Sequence, residues 1–264
     1  MPTLEFGSRL REWRRARGLS QLDLAARAEV SQRHISFIET GRSQPSREMV
    51  VHLGRFLDIP PREQNLLLAA AGHAPAYNET PLHELDEIAG VLDFMLTAHE
   101  PNMAIVVDRQ WNVIRANDAA MKFVELLFPM TPDWAMPLNV MRLNFHPEGL
   151  RSHMVDWEST ATALLGRLER DVASYPSDRE LRDLLDEVRM YPGVHSLGRQ
   201  LHAQIQDLLV PAVYRIGGGE ISLFTTISII GDAHDLTLAE LRLETFWPVD
   251  QMAAQLWDLH VGAR

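Results

Sequence analysis

Residues Ser20–Gly41, SQLDLAARAEVSQRHISFIETG, decide how the rest of the chain is read. Ser20 can cap a helix, because its hydroxyl accepts from one of the orphan N–H groups of a first turn. Leu22, Leu24, Ala25 and Ala28 follow at helical spacing. Glu29-Val30 makes a tight turn, Ser31 caps a second helix, and Ile35 and Ile38 continue the inward face. Gly41 stops that helix and Pro45 lies just beyond. Two helices of about eight residues cannot hold themselves together in water, so they need each other and flanking helices. This is the helix-turn-helix unit, whose second helix is offered to the major groove of DNA.

Outward from this stretch, Gly7–Arg17 is predicted as a helix with Leu10 and Trp13 inward and Arg9, Arg14, Arg15 and Arg17 outward. Ser46 caps a fourth helix carrying Met49, Val50, Leu53, Phe56 and Leu57, and Arg62–Gly72 forms a fifth. Residues 1–72 thus read as an all-α, five-helix domain. The pattern L-S-Q-x-x-L-A-x-x-A-x-V-S-x-x-x-I-S-x-I-E-x-G, Leu19 to Gly41, resembles the Cro/C1-type (Xre-like) helix-turn-helix domain. Glu29 departs from that pattern, standing where the turn usually carries a glycine with positive φ. A side chain there costs about 1 kcal/mol.

The chain has 264 residues, 46% hydrophobic and 23% charged, so a second domain is expected. No apolar run reaches the roughly 18 residues of a membrane span. The N-terminus lacks the apolar segment of a signal peptide. The absence of Cys excludes disulfides and thiolate chemistry and fits a cytoplasmic location. The net charge of −11 hides a division: residues 1–72 carry 11 Arg against 8 acidic residues, and the excess of acid lies entirely beyond them. Positive charge therefore sits on the domain with the DNA motif, as phosphate contact requires, and the acidic remainder argues against a second nucleic-acid module.

His73–Pro81 reads as a linker, with a second domain over residues 82–264. Leu82–Glu100 is helical, with Leu85, Ile88, Leu92, Met95 and Leu96 in phase. From Pro101 the period becomes two: Met103–Val107 and Val113–Ala116 are strands around a turn, and Asn117-Asp118 opens a helix running to Leu127. Helices are expected over His153–Ala173, Arg179–Arg189 and Ser196–Leu208. A hairpin follows around Gly217–Gly219, then a strand over Leu241–Phe246 and a terminal helix over Val249–Leu259. The expected class is α+β with an antiparallel sheet, and strand, turn, strand, Asn, helix resembles the entrance of a PAS-like sensor domain. Trp111–Asn117 (WNVIRAN), Asn139–Arg151 (NVMRLNFHPEGLR), the helix of Trp157 and the late hairpin resemble the MmyB-like family of bacterial regulators. That resemblance spans roughly residues 85–260. It implies a transcription factor, often dimeric, whose PAS-like domain binds a small molecule.

Gln32, Arg33, Ser36 and Phe37 form the outward face of the second motif helix. Gln pairs with adenine, Arg with guanine, and an apolar group with the thymine methyl. Phe37 reads equally as core. The Xre-like pattern implies phosphate contacts from Gln21, Thr40 and Arg42, which position the domain without reading sequence; Arg9 and Arg14 could add charge. Glu39 is expected to be internal, paired with an arginine. One recognition helix covers only a few base pairs, so a homodimer on a palindromic operator in double-stranded DNA is expected.

In the second domain, methionines (Met121, Met130, Met136, Met141, Met154) and aromatics (Phe123, Phe128, Trp134, Phe145, Trp157, Phe224) are numerous enough to line an apolar pocket, or are simply core. Arg142, Asn144 and His146 stand near them, and one of these, with Asn117, could hold a polar head group; capping a helix is the other role for Asn117. The expected ligand is a long apolar molecule with an acidic or oxygenated head, such as a fatty acid or polyketide-like metabolite. No cofactor is called for. Enzyme signatures are missing: there is no HExxH, GxSxG or phosphate-binding loop. His146, His153, His195 and His202 lack the spacing of metal ligands. A second domain that only dimerises or meets a protein partner remains an alternative, as does an enzyme joined to a regulator domain.

Overall fold

The computed structural model describes residues 2–81, 84, 86–128, 136–197, 211–230 and 235–262. The chain divides into two compact units with the boundary between Thr80 and Pro81.

The first unit is five helices: α1 (Pro2–Ala16), α2 (Gln21–Arg27), α3 (Gln32–Glu39), α4 (Arg47–Phe56) and α5 (Pro61–Ala70). Ser20, Ser31 and Ser46 cap α2, α3 and α4, accepting from the backbone N–H of Asp23, His34 and Met49. Asp23 returns the bond to the Ser20 N–H, completing a capping box. Leu10, Leu24, Ile35, Ile38 and Leu53 are fully buried together. Each such side chain stabilises the unit by about 2 kcal/mol, which is how such short helices persist. α1 begins five residues earlier than the sequence suggests. Gly7 lies on it because a Cβ there would come within 2.6 Å of the Glu39 carbonyl oxygen, so α1 and α3 pack backbone to backbone.

Three side chains differ from expectation. Leu22 is 59% exposed, since at about 100° per residue it lies some 160° around the helix from Leu24. Phe56 is exposed and rests edge-on against His52 at 4.9 Å. Arg14 turns inward rather than outward and is buried.

The second unit is an α+β domain. Its helices are α6 (Asp86–Ala98), α7 (Asp118–Leu127), α8 (Val140–Phe145), α9 (Trp157–Ser174), α10 (Arg179–Met190), α11 (Val194–Leu197), α12 (Leu236–Glu240) and α13 (Gln251–Trp257), with a 3-10 turn at Leu150–His153. Five strands, β1 (Ala104–Val107), β2 (Val113–Ala116), β3 (Ala212–Ile216), β4 (Gly219–Ile229) and β5 (Arg242–Pro248), form one antiparallel sheet in the order β2-β1-β5-β4-β3. First and last strands are thus neighbours, with Ile105 opposite Glu244, and β4 pairs along the other edge of β5, with Thr226 opposite Thr245.

Strand alternation sorts the side chains between two layers. Ala104, Val106 and Leu243 pack with Leu92 and Leu96 of α6 on one face. Ile105, Tyr214 and Phe246 belong to the larger core on the other, with α7, α8, α9 and α10. The long helix starts at Trp157 rather than His153, because Asp156, not an earlier residue, caps it. Of the helix expected over 196–208, only the end of α11 lies within the described residues; Leu85, Met130, Trp134 and His202 also lie outside them.

Candidate DNA-reading helix and ligand cavity

The outer face of α3 presents Gln32 and Arg33, both exposed, at its first turn, and Ser36 and Phe37 one turn later, half-buried. The Arg33 guanidinium carbon lies 5.0 Å from the centre of the Phe37 ring and that of Arg42 lies 6.0 Å from it. Phe37 is therefore neither core nor free: two arginines lie within cation–π range of its ring, which limits where both can swing.

The inner face of α3 ends on Glu39, whose carboxylate is fully buried. Arg14 donates Nε to Oε1 at 2.6 Å and Nη2 to Oε2 at 3.0 Å, and Gln21 donates to Oε2 at 2.8 Å. Burial alone would raise this carboxyl. The bonds from Arg14 and Gln21, with the charges of Arg14 and Arg11, outweigh burial and hold it below the ordinary carboxylate range. Two of the expected phosphate contacts are already partly engaged. One amide proton of Gln21 goes to Glu39, and the single hydroxyl proton of Thr40 is donated to the Ser36 carbonyl at 2.7 Å. Arg42 is exposed at the end of α3, beyond Gly41, which takes φ +70° there. Arg14, committed to Glu39 and the Leu19 carbonyl, is not available to phosphate.

In the second unit a cavity of about 140 Å³ lies between the inner face of the sheet and the helices. Met103, Ile105, Val113, Ala212, Tyr214, Thr225, Glu244 and Phe246 line it from the sheet side. Ala120, Met121, Phe123 and Val124 of α7, Leu143 and Asn144 of α8, and Thr160, Leu164 and Arg167 of α9 line it from the helices. Met121 and Thr225 are exposed, so the cavity opens to solvent beside them.

Of the described residues expected from sequence, Met121, Phe123 and Asn144 line this cavity; the other described ones do not. Asn117 caps α7: its Oδ1 accepts from the N–H of Ala104 and of Ala120, both at 3.0 Å, and its Nδ2 donates to the Asn102 carbonyl at 2.8 Å. That leaves little with which to bind anything else. Met136 is 61% exposed. Arg142 is held in a two-pronged pair by Glu187, at 2.9 Å from both Nε and Nη2, and Tyr191 bonds the same carboxylate. His146 packs edge-on against Tyr191. Phe145 and Trp157 meet edge to face in the core, where the Trp157 indole donates to the Asn144 carbonyl. Phe224 projects from β4 on the side opposite to Thr225. Met141 and Met154 are buried core.

Sequence reasoning missed Glu244, Arg167 and Thr160. The carboxyl of Glu244 lies at the middle of β5, 4% exposed, with Arg167 Nη1 at 3.8 Å. Burial pushes it up to about 7, against the opposing pull of Arg167 and Arg242. Arg242 is itself engaged: it pairs with Asp171 at 2.7 Å and lies 4.9 Å from the Trp111 ring, whose indole donates to the same Asp171. A usable signal existed. In RLETFWP an acidic residue shares a face with Phe246, in the middle of an otherwise strand-like run. On the helix of Trp157, Thr160, Leu164 and Arg167 repeat at helical spacing.

A helix-turn-helix unit joined to an α+β domain with a mostly apolar cavity defines the class of transcription regulators that carry a ligand-binding domain. The chain belongs to the MmyB-like transcription regulator family: the model of that family's ligand-binding domain matches residues 89–259, and a helix-turn-helix domain model matches residues 5–67. An uncharacterised helix-turn-helix-type transcriptional regulator of Bacillus subtilis, RghRB, is 41% identical over 75 residues, 28% of this chain. The chain spans about half the length of that relative, 52%. Among solved structures, the restriction-modification controller protein C.AhdI of Aeromonas hydrophila is 39% identical over 24% of this chain and 94% of its own, with a TM-score of 0.23.

Proposed function

We propose that the protein binds operator DNA as a homodimer, through α3, and that a small apolar molecule in the cavity of its second unit modulates that binding in the cytoplasm. The observation that carries the DNA reading is the exposed face of α3. Gln32 and Arg33 project outward at its start, with Ser36 and Phe37 behind them, while Glu39 on the inner face is clamped to α1. Arg42, with the remaining proton of Gln21 and, after rotation, the hydroxyl of Thr40, supplies phosphate contact. One such helix reads only a few base pairs, and two-fold pairing on a palindrome roughly doubles the binding energy.

The ligand reading rests on the cavity. Its lining is mostly apolar, with a few polar groups, as small-molecule sites usually are. Its volume is close to the ~150 Å³ of a cavity that accepts benzene. A compact metabolite suits that space better than a long acyl chain. A PAS-like sensing role agrees with the single antiparallel sheet closed over by helices. The ligand acts only through its different affinities for two arrangements of the dimer.

A second reading, in which the domain chiefly dimerises, is favoured by α6, whose Phe94 is 75% exposed beside an exposed Val91. Native mass spectrometry of freshly purified protein, followed by denaturing extraction, separates the two. A dimer releasing a molecule of one to two hundred daltons supports the sensor; an empty dimer that binds no small molecule in subsequent titration favours the dimerisation module.

A further inference from the structure

Given that the cavity holds the ligand, its polar groups narrow what the ligand is. Glu244 brings a carboxyl into a mostly apolar lining, yet no hydrogen-bond donor among the described residues reaches it: Arg167, at 3.8 Å, is beyond hydrogen-bond range. Arg242 is spent on Asp171. A buried carboxyl without donors is costly, so a ligand that supplies one recovers free energy that the empty protein lacks. Thr160 is the second, independent observation. Thr160 lines the same cavity, and its hydroxyl is buried and has no partner. Seven residues separate it from Arg167, roughly 10 Å along α9, with Leu164 between them.

We infer that the cavity is built for a compact apolar molecule whose polar end is a neutral hydrogen-bond donor, a hydroxyl, received by Glu244, and that it discriminates against carboxylates. A carboxylate head would stand against the Glu244 carboxyl, and two such groups share a site only if one takes up a proton. Arg167 does not remove the conflict, because it is already the counter-charge of Glu244 and its side chain is 40% exposed to water. An ammonium head would satisfy Glu244 but would add a second cation beside Arg167, which already balances that carboxylate. A hydroxyl donates to the carboxyl and brings no charge.

The test is calorimetric titration of the full-length protein at pH 8 with 1-hexanol, hexylamine and hexanoate, which share one tail. The expected order is hexanol first, with hexanoate at least tenfold weaker. In Glu244→Gln that ratio should fall to within about threefold, because the neutral amide no longer repels hexanoate. Hexanoate binding as tightly as hexanol, hexylamine binding most tightly, or a ratio unchanged in Glu244→Gln would each overturn the inference while leaving the cavity as a ligand site. If none of the three binds, the cavity is not the ligand site and both readings fail. Should Glu244→Gln not fold, Arg167→Gln gives the same information. Loss of the cation should widen the preference for hexanol over hexanoate, and a narrowed or unchanged preference contradicts the assignment.

Discussion

Arg14 holds Glu39 through two parallel hydrogen bonds, Nε to Oε1 at 2.6 Å and Nη2 to Oε2 at 3.0 Å, and so fastens the end of α3 to α1. Such a pair adds modestly to stability against an apolar replacement, but removing one partner strands a buried charge. Glu39→Gln should therefore lower the opening free energy of α3 by about 3 kcal/mol, read as faster hydrogen exchange at the Ile35 and Ile38 amides. The sign with pH follows from the lowered carboxyl. Its stabilisation is present above the ordinary carboxylate range and is lost as pH falls through the depressed value. Unchanged exchange in the variant would mean that packing alone seats α3.

Glu29 takes φ +53° in the turn between α2 and α3, a conformation that disfavours a side chain with a Cβ. Glu29→Gly should stabilise the first unit by about 1 kcal/mol, measured by urea denaturation. A loss of stability would show that the added freedom of glycine in the unfolded chain outweighs the relief of strain.

Both positions, Glu39 as an internal partner of arginine and Glu29 in the turn, are legible in the amino-acid sequence itself. Serine caps, Gly41 and the apolar stripe are local signals, and they define the five helices and the strained turn. The β1–β2 hairpin and the turn at Gly217 and Gly218, with φ of +56° and +83°, are legible for the same reason. The cavity is not. Its polar groups come from Thr160 and Arg167 on α9 and Glu244 on β5, and nothing local announces that those segments face each other. The abundance of methionines and aromatics points instead to Met136, which is exposed, and to Phe145 and Trp157, which fill the core. Arg142 reads as a free head-group binder because its partner, Glu187, lies 45 residues away.

Glu244 sets a pH dependence of opposite sign to that of Glu39. Its folded value of about 7 exceeds the ordinary 4.5, so between these values the folded protein holds more protons than the unfolded chain. Stability should fall as pH rises across that window, by an amount on the order of 3 kcal/mol. Urea denaturation of wild type and Glu244→Gln at pH 5 and pH 8 checks this: the difference between the two proteins should grow in favour of the variant at pH 8. Equal slopes would mean that water or ligand already satisfies the carboxyl.

Thr160 leaves a buried hydroxyl unpaired, which costs about 1–3 kcal/mol. Thr160→Val, nearly the same shape without the hydroxyl, should be neutral or stabilising in ligand-free protein by thermal denaturation. A marked destabilisation would show that the hydroxyl has a partner, such as an ordered water.

The central claim is that α3 reads DNA with Arg33 at its leading end, and selection of bound duplexes from a random pool by wild type and Arg33→Ala tests it most directly. The wild type should enrich two inverted half-sites about one helical turn apart. Arg33→Ala should weaken binding by about 1–3 kcal/mol and lose preference at one base of each half-site, whereas Arg42→Ala should weaken all sequences alike. If Arg33→Ala enriches the same sites with the same preferences, or the wild type enriches none, α3 is not the reading element.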